Sequence, residues 1–100
     1  MQMAATAAIE CTIRAEPDNK FLRLAAIARS ATAASGRYDF LIIKRSETGS
    51  SKNVQSGTFI LQGCREQVLT TVALDRSAIG NYRAELALQS DHERFTCTSP

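Results

Sequence analysis

Three thiols, one imidazole and a scatter of carboxylates are the side chains of this sequence that could carry bond-making chemistry. Cys11, Cys64 and Cys97 are far apart and form no CxxC or CxC pair. Zinc usually takes four ligands supplied as closely spaced pairs, and here only His92 with Cys97 has such a spacing, so no metal site is expected. A catalytic thiol needs a neighbouring cation, imidazolium or helix start to lower its pKa, which a sequence cannot place. A hydrolytic triad needs a nucleophile, a base and an orienting group. The one histidine, His92, stands among Asp91, Glu93 and Arg94, where it reads as a solvated turn residue. Asp75 and Asp91 are too separated to be read as paired carboxylates. Gly57, Gly63 and Gly80 are isolated turn residues and not a phosphate-cradling loop. The expectation is a protein that is not an enzyme and has no cofactor.

The cysteines leave two structural readings open. Buried, inert thiols are one. The other is a disulfide joining Cys11 to Cys97, which would tie down the two segments most prone to fray if the terminal strands lie side by side. Closing so long a loop is worth roughly 4–5 kcal/mol in the chain-entropy account and implies an oxidising compartment. Cys64 would then be the odd free thiol.

The elements that must position these residues read as strands. Residues 9–15 alternate Ile9, Cys11, Ile13 and Ala15 against Glu10, Thr12 and Arg14, and Pro17-Asp18-Asn19-Lys20 is turn chemistry. Residues 21–33 carry many alanines, which favour helix, yet alternate between turn signals, so a strand is expected there. Residues 37–46 are apolar on both faces at their middle, as in a strand central to its sheet, with Arg37 and Lys44-Arg45 reaching solvent. Residues 47–52 read as a polar hairpin loop. Residues 53–56 and 58–62 read as short strands split at Gly57 by a bulge or bend. Residues 67–74, 81–89 and 94–98 complete the set, with Tyr82, Ala84, Leu86 and Leu88 inward on the second of these. About seven strands with turn signals roughly every ten residues describe an all-β, immunoglobulin-like antiparallel β-sandwich. Tyr82, following Leu74-Asp75 and Gly80-Asn81, resembles a tyrosine corner, although a plain core aromatic fits as well. With no tryptophan in the chain, Tyr38 or Phe40 must fill the central aromatic position.

One hundred residues make a single domain, 1–100, of which residues 1–7 are expected to be flexible. A net charge of +2 is too mild to announce nucleic acid or anionic lipid, and no charge-free run is long enough to span a bilayer. Arg23, Arg29, Arg37, Lys44 and Arg45 could form a basic patch near Tyr38 and Phe40. Stacking on bases needs exposed aromatics, whereas these two share a parity with Ile42 and read as core, so no nucleic-acid partner is expected. A binding module remains. Arg23 and Arg29 share a parity, and such a stripe could attract an acidic, extended partner without recruiting strands indiscriminately; a solvated sheet face is the bland alternative.

The run Cys11-Thr12-Ile13-Arg14, the segment Ser35-Gly36-Arg37-Tyr38-Asp39-Phe40 with Lys44, then Thr48-Gly49-Ser50-Ser51, Gln55-Ser56-Gly57-Thr58-Phe59, Tyr82-Arg83-Ala84-Glu85-Leu86 and Cys97 together resemble the CsgC/CsgH family of periplasmic curli chaperones, and more the CsgH branch. The likeness extends over nearly the whole chain and rests on the order and spacing of motifs that are individually weak. It implies an immunoglobulin-like sandwich in the periplasm that keeps curli-type amyloid subunits from polymerising early, without catalysis or cofactor. Transient binding of unfolded subunits by a monomer, without membrane insertion, is the accompanying expectation. Met1–Ala5 has no basic or sustained apolar character of an export signal, and a signal already removed would leave such a chain. The CxC pair of the CsgC branch is missing, so thiol exchange receives no support. On this reading Arg23, Arg29, Lys44 and Arg45 are the expected contact residues. A structural or adhesion-type sandwich that binds a folded partner is the alternative.

Overall fold

The computed structural model describes residues 9–91 and 93–99. Seven strands follow one another: β1 (Ile9–Pro17), β2 (Phe21–Ser30), β3 (Ala34–Ser46), β4 (Gly49–Leu61), β5 (Arg65–Asp75), β6 (Tyr82–Ser90) and β7 (Glu93–Ser99), with a single 3-10 turn at Arg76–Ala78. They form two antiparallel sheets, one ordered β1-β2-β5 and the other β4-β3-β6-β7. The β1–β2 turn is held by Asp18, whose Oδ1 accepts from the backbone N–H groups of Lys20 at 2.9 Å and Phe21 at 2.8 Å. That is the local reason an Asp is suited to this turn.

Period-2 alternation decides which side chains meet between the sheets. Leu22, Leu24, Ala26 and Ala28 of β2 turn inward, as do Phe40 and Ile42 of β3 and Ala84, Leu86 and Leu88 of β6, and all belong to one buried cluster. Ala26 and Ala28 are therefore core positions of a strand, which places residues 21–30 in a sheet despite their helix-favouring composition. Phe40, fully buried, fills the central aromatic position. Each fully buried Leu, Ile or Phe contributes roughly 1.5–3 kcal/mol through the hydrophobic effect.

Four local expectations are corrected. β2 ends at Ser30, three residues before the anticipated end. The β3–β4 loop is only Glu47-Thr48, because pairing continues to Ser46 opposite Gly49. Gly57 neither breaks nor bulges β4. It pairs with Tyr38, whose ring lies so close that a Cβ on Gly57 would sit 2.9 Å from it, so the glycine makes room for an aromatic across the strand. The interruption falls instead in β5, where the register against β2 shifts between Ala26 and Ile27 and skips Leu69. This shift sends Leu69 toward the core and leaves Val68 exposed. Nor is Tyr82 a tyrosine corner: its hydroxyl meets Ser99 Oγ at 3.1 Å across β6 and β7. The expected flexible segment 1–7 and the turn residue His92 lie outside the described residues.

Cys11 of β1 and Cys97 of β7 form a disulfide, with 6.0 Å between their Cα atoms. It joins the outermost strand of one sheet to the outermost strand of the other. Cys64 is free and exposed in the β4–β5 turn. There it adopts a left-handed backbone with φ 63° and donates its N–H to the Ser30 carbonyl at 2.8 Å.

Two outcomes follow. A Cβ on Gly36 would lie 2.0 Å from the Gln89 carbonyl oxygen of β6 and 3.0 Å from the Phe59 ring. Gly36→Ala is expected to cost about 2–4 kcal/mol, read from the urea midpoint, because the β3–β6 ladder must part to admit the methyl group. Iodoacetamide labelling of the unfolded, unreduced chain is expected to modify one cysteine, Cys64; three modified cysteines would contradict the Cys11–Cys97 bond.

Candidate functional site

Cross-strand register arranges the outward side chains of the four-stranded sheet in rows. Ser50 stands beside Arg45; Lys52 beside Ile43 and Arg83; Val54 beside Leu41 and Glu85. Next come Ser56, Asp39, Ala87 and Thr96, then Thr58, Arg37, Gln89 and Arg94. Arg37, Arg45, Lys52, Arg83 and Arg94 thus share this face with only Asp39 and Glu85, and all seven are exposed. Asp39 is further engaged by the Ser56 hydroxyl, which donates to it at 2.6 Å. The face is cationic at both ends, with a small apolar centre in Leu41, Ile43 and Val54.

The outer face of the three-stranded sheet is balanced. Arg23 lies opposite Glu16 and pairs with Asp18 at 3.6 Å. Arg29 lies between Glu10 on β1 and Glu66 on β5. Arg14 reaches across β2 to Glu66 at 3.3 Å. In register this ion pair passes over Ile27, which faces outward yet is only 2% exposed. Both members are about half exposed, so the charge interaction itself is worth less than about 1 kcal/mol, and covering Ile27 is its larger contribution.

The four basic residues singled out from the sequence are therefore not brought together. Arg23 and Arg29 do share one face, each beside carboxylates. Arg45 belongs to the cationic face of the other sheet. Lys44, half-buried, has the parity of Phe40 and Ile42, and its charge acts on Asp75. Arg37, Lys52, Arg83 and Arg94 complete the cationic face and were not among the four. Alternation along each strand signalled their outward direction, but only the strand order β4-β3-β6-β7 shows that they converge. Tyr38 and Phe40 turn inward, so no aromatic from this pair lies on the basic surface.

Two carboxyls are shifted. Asp18 is held below the ordinary carboxylate value by the backbone N–H groups of Lys20 and Phe21, with help from the Arg23 and Arg76 charges. Asp75 is lowered by the hydroxyl of Ser77 and then by the Lys44 charge. Both serve turns at the ends of strands. Cys64 is in the β4–β5 turn and β2 separates it from the strand bearing Cys11, which is poor geometry for thiol exchange with the disulfide. Among the described residues no group of three or more His, Cys, Asp or Glu is arranged to hold a metal ion, and no helix is long and apolar enough to cross a membrane.

Two antiparallel sheets with a disulfide between their outer strands define an immunoglobulin-like β-sandwich. The family described as CsgH protein matches residues 10–99, and the chain belongs to that family. The solution structure of R. palustris CsgH is similar, with a TM-score of 0.77 and 21% identity over 91% of this chain and 90% of that one. The E. coli curli protein CsgC is similar with a TM-score of 0.73 and 15% identity, over 95% of this chain and 99% of that one. A search of the curated proteins finds no match.

The lowered carboxyls set the acid behaviour. A carboxyl whose folded pKa is depressed contributes stability above its unfolded value, near 3.8, and loses it as the pH falls through the folded value. The urea midpoint is expected to begin falling as the pH drops past 3.8 and to keep falling below it. Asp18→Ala is expected to lower the midpoint at pH 6 and to flatten that acid limb. A limb of unchanged slope would show that the Asp18 turn does not set it.

Proposed function

We propose that this protein is a periplasmic, non-catalytic inhibitor of amyloid assembly that holds curli-type subunits back from polymerising before secretion, as a monomer and by transient contact. The observation that carries this reading is the unbalanced cationic face of the four-stranded sheet, built on Arg37, Arg45, Lys52 and Arg83. Long-range attraction between such a face and an acidic, unfolded chain speeds encounter without requiring a tight complex. Family membership supports the association with curli, and the disulfide suits an oxidising compartment. An adhesion-type sandwich with a folded partner is the second reading. It would require a lasting stoichiometric complex, for which the exposed face offers the small apolar centre of Leu41, Ile43 and Val54 and, apart from it, Ile60.

A thioflavin time course of a curli-type subunit tests the proposal. The parent protein at substoichiometric ratio is expected to lengthen the lag phase. A triple variant, Arg37→Glu with Arg45→Glu and Arg83→Glu, is expected to lose most of that effect, more so at low salt. Arg23→Glu with Arg29→Glu is expected to retain most of it. If the second variant loses the effect and the first keeps it, contact belongs to the three-stranded sheet. If the parent itself leaves the lag unchanged, the inhibitor reading fails.

A further inference from the structure

The four outer strands of the sandwich are not equally closed. β1 and β7 face each other and are bonded through Cys11 and Cys97. β5 carries a register shift at Leu69 and an acid, Glu66, three residues before it, devices that discourage an added strand. β4 has neither. It pairs with β3 in unbroken register from Gly49 to Leu61, contains no proline, and bears one charge, Lys52. Val54 and Ile60 on its outer side are 53% and 73% exposed.

Backbone direction shows which groups this edge offers. The Arg45 N–H donates to the Asn81 carbonyl at 2.8 Å, so odd-numbered β3 residues address β6 and even-numbered ones address β4. Even-numbered β3 residues stand opposite odd-numbered β4 residues, which therefore complete the β3–β4 ladder. Lys52, Val54, Ser56, Thr58 and Ile60 are left with N–H and C=O groups directed at the open edge, and their side chains lie on the cationic outer face.

We propose that the β4 edge takes an extended, acidic segment of a partner polypeptide as an antiparallel fifth strand of this sheet. The inference rests on the chaperone reading and names its contact. Charge selects this occupant. A strand added beside β4 sets one outward side chain next to Lys52, with Arg45 and Arg83 in the same region, and another next to Thr58, one strand from Arg37. Glu or Asp fits both places. Next to Val54 and Ile60 the added strand needs apolar or β-branched residues, six positions apart on one face. A second copy of the chain would bring the same cationic face against this one, so repulsion opposes it. Main-chain bonds give the affinity and these side-chain places the selectivity, as in other strand-addition complexes.

The test uses the whole protein and a nine-residue synthetic peptide with Glu placed to meet Lys52 and Thr58 and Val placed to meet Val54 and Ile60. Amide hydrogen exchange by NMR reads the edge itself. Saturating peptide is expected to slow the amides of Lys52, Val54, Ser56 and Thr58 about tenfold, while odd-numbered β4 amides, already bonded to β3, change little. Thr58→Pro removes a donor that β3 does not use, so its far-ultraviolet circular dichroism is expected to match the parent while peptide protection disappears. Lys52→Glu, which carries no risk to the ladder, is expected to weaken peptide binding at least about fivefold at low salt. Unchanged exchange with peptide, protection confined to β5, or full peptide binding by a folded Thr58→Pro variant would overturn the proposal. Protection that rises with protein concentration in the absence of peptide would also overturn it, by giving the edge to a second copy. The two readings separate in the thioflavin assay. If Thr58→Pro delays aggregation as the parent does while the charge-reversed face does not, the edge falls and the chaperone reading stands. If the peptide docks but the parent leaves the lag unchanged, the edge stands and the chaperone reading falls.

Discussion

Phe40 and Ile42 point inward from β3, the strand bonded on both sides, and the rest of the structure is organised by their burial. Phe40 stands between Gln55 of β4 and Leu86 of β6, and Ile42 between Asn53 and Ala84. Because side chains alternate strictly, fixing these two residues in the core sends Arg37, Leu41, Ile43 and Arg45 to the other side of the sheet. Shifting β3 by one residue would exchange the two sets and bury the Arg37 and Arg45 guanidinium groups and the Asp39 carboxylate, at a large desolvation cost. The cationic face is thus a consequence of the core register. The same residues that stabilise the sandwich position its surface charge.

The sandwich manages its edges unevenly, and that unevenness separates stability from contact. One side is closed covalently through Cys11 and Cys97, which constrains the ends of a small domain whose hydrophobic margin is narrow. The opposite side is where the chain passes from β4 to β5 through the turn containing Gly63 and Cys64. There β5 is blunted by its register shift, and β4 is left straight and nearly uncharged. An edge of that kind is normally an aggregation hazard. Here it borders the cationic outer face of the sheet.

Much of the fold was legible because half-buried strands write their inner face into the sequence at period two. β6 is the clearest case, with Tyr82, Ala84, Leu86 and Leu88 against Arg83 and Glu85. The alanine-rich β2 was recoverable from its flanking turns. What escaped depended on neighbours that are distant in sequence. Gly57 reads as a breaker until Tyr38 is seen to lie over it, and the shift at Leu69 is invisible in a segment whose Val68, Thr70 and Val72 alternate without a fault. The site was harder for the same reason. Arg23 and Arg29 share a parity, which local spacing shows, but Glu10, Glu16 and Glu66 come from other strands and neutralise them. Arg37 and Arg94 meet across Gln89, and Lys52 and Arg83 across Ile43, only because β3 and β7 flank β6 and β4 flanks β3.

A surface that is both cationic and open at one edge reconciles two requirements that otherwise conflict. To hold back an assembling strand, a protein must resemble the template enough to be approached, which calls for unsatisfied backbone groups and exposed residues such as Val54 and Ile60. To avoid becoming a template, it must not let a second strand follow the first. On the proposed contact the followers would meet different conditions from the leader: an acidic strand added at β4 would be drawn in by Lys52 and its neighbours, but the edge it then presented would be acidic and would repel the next chain of its own kind. The attraction that captured one segment would thereby stop the growth of the sheet.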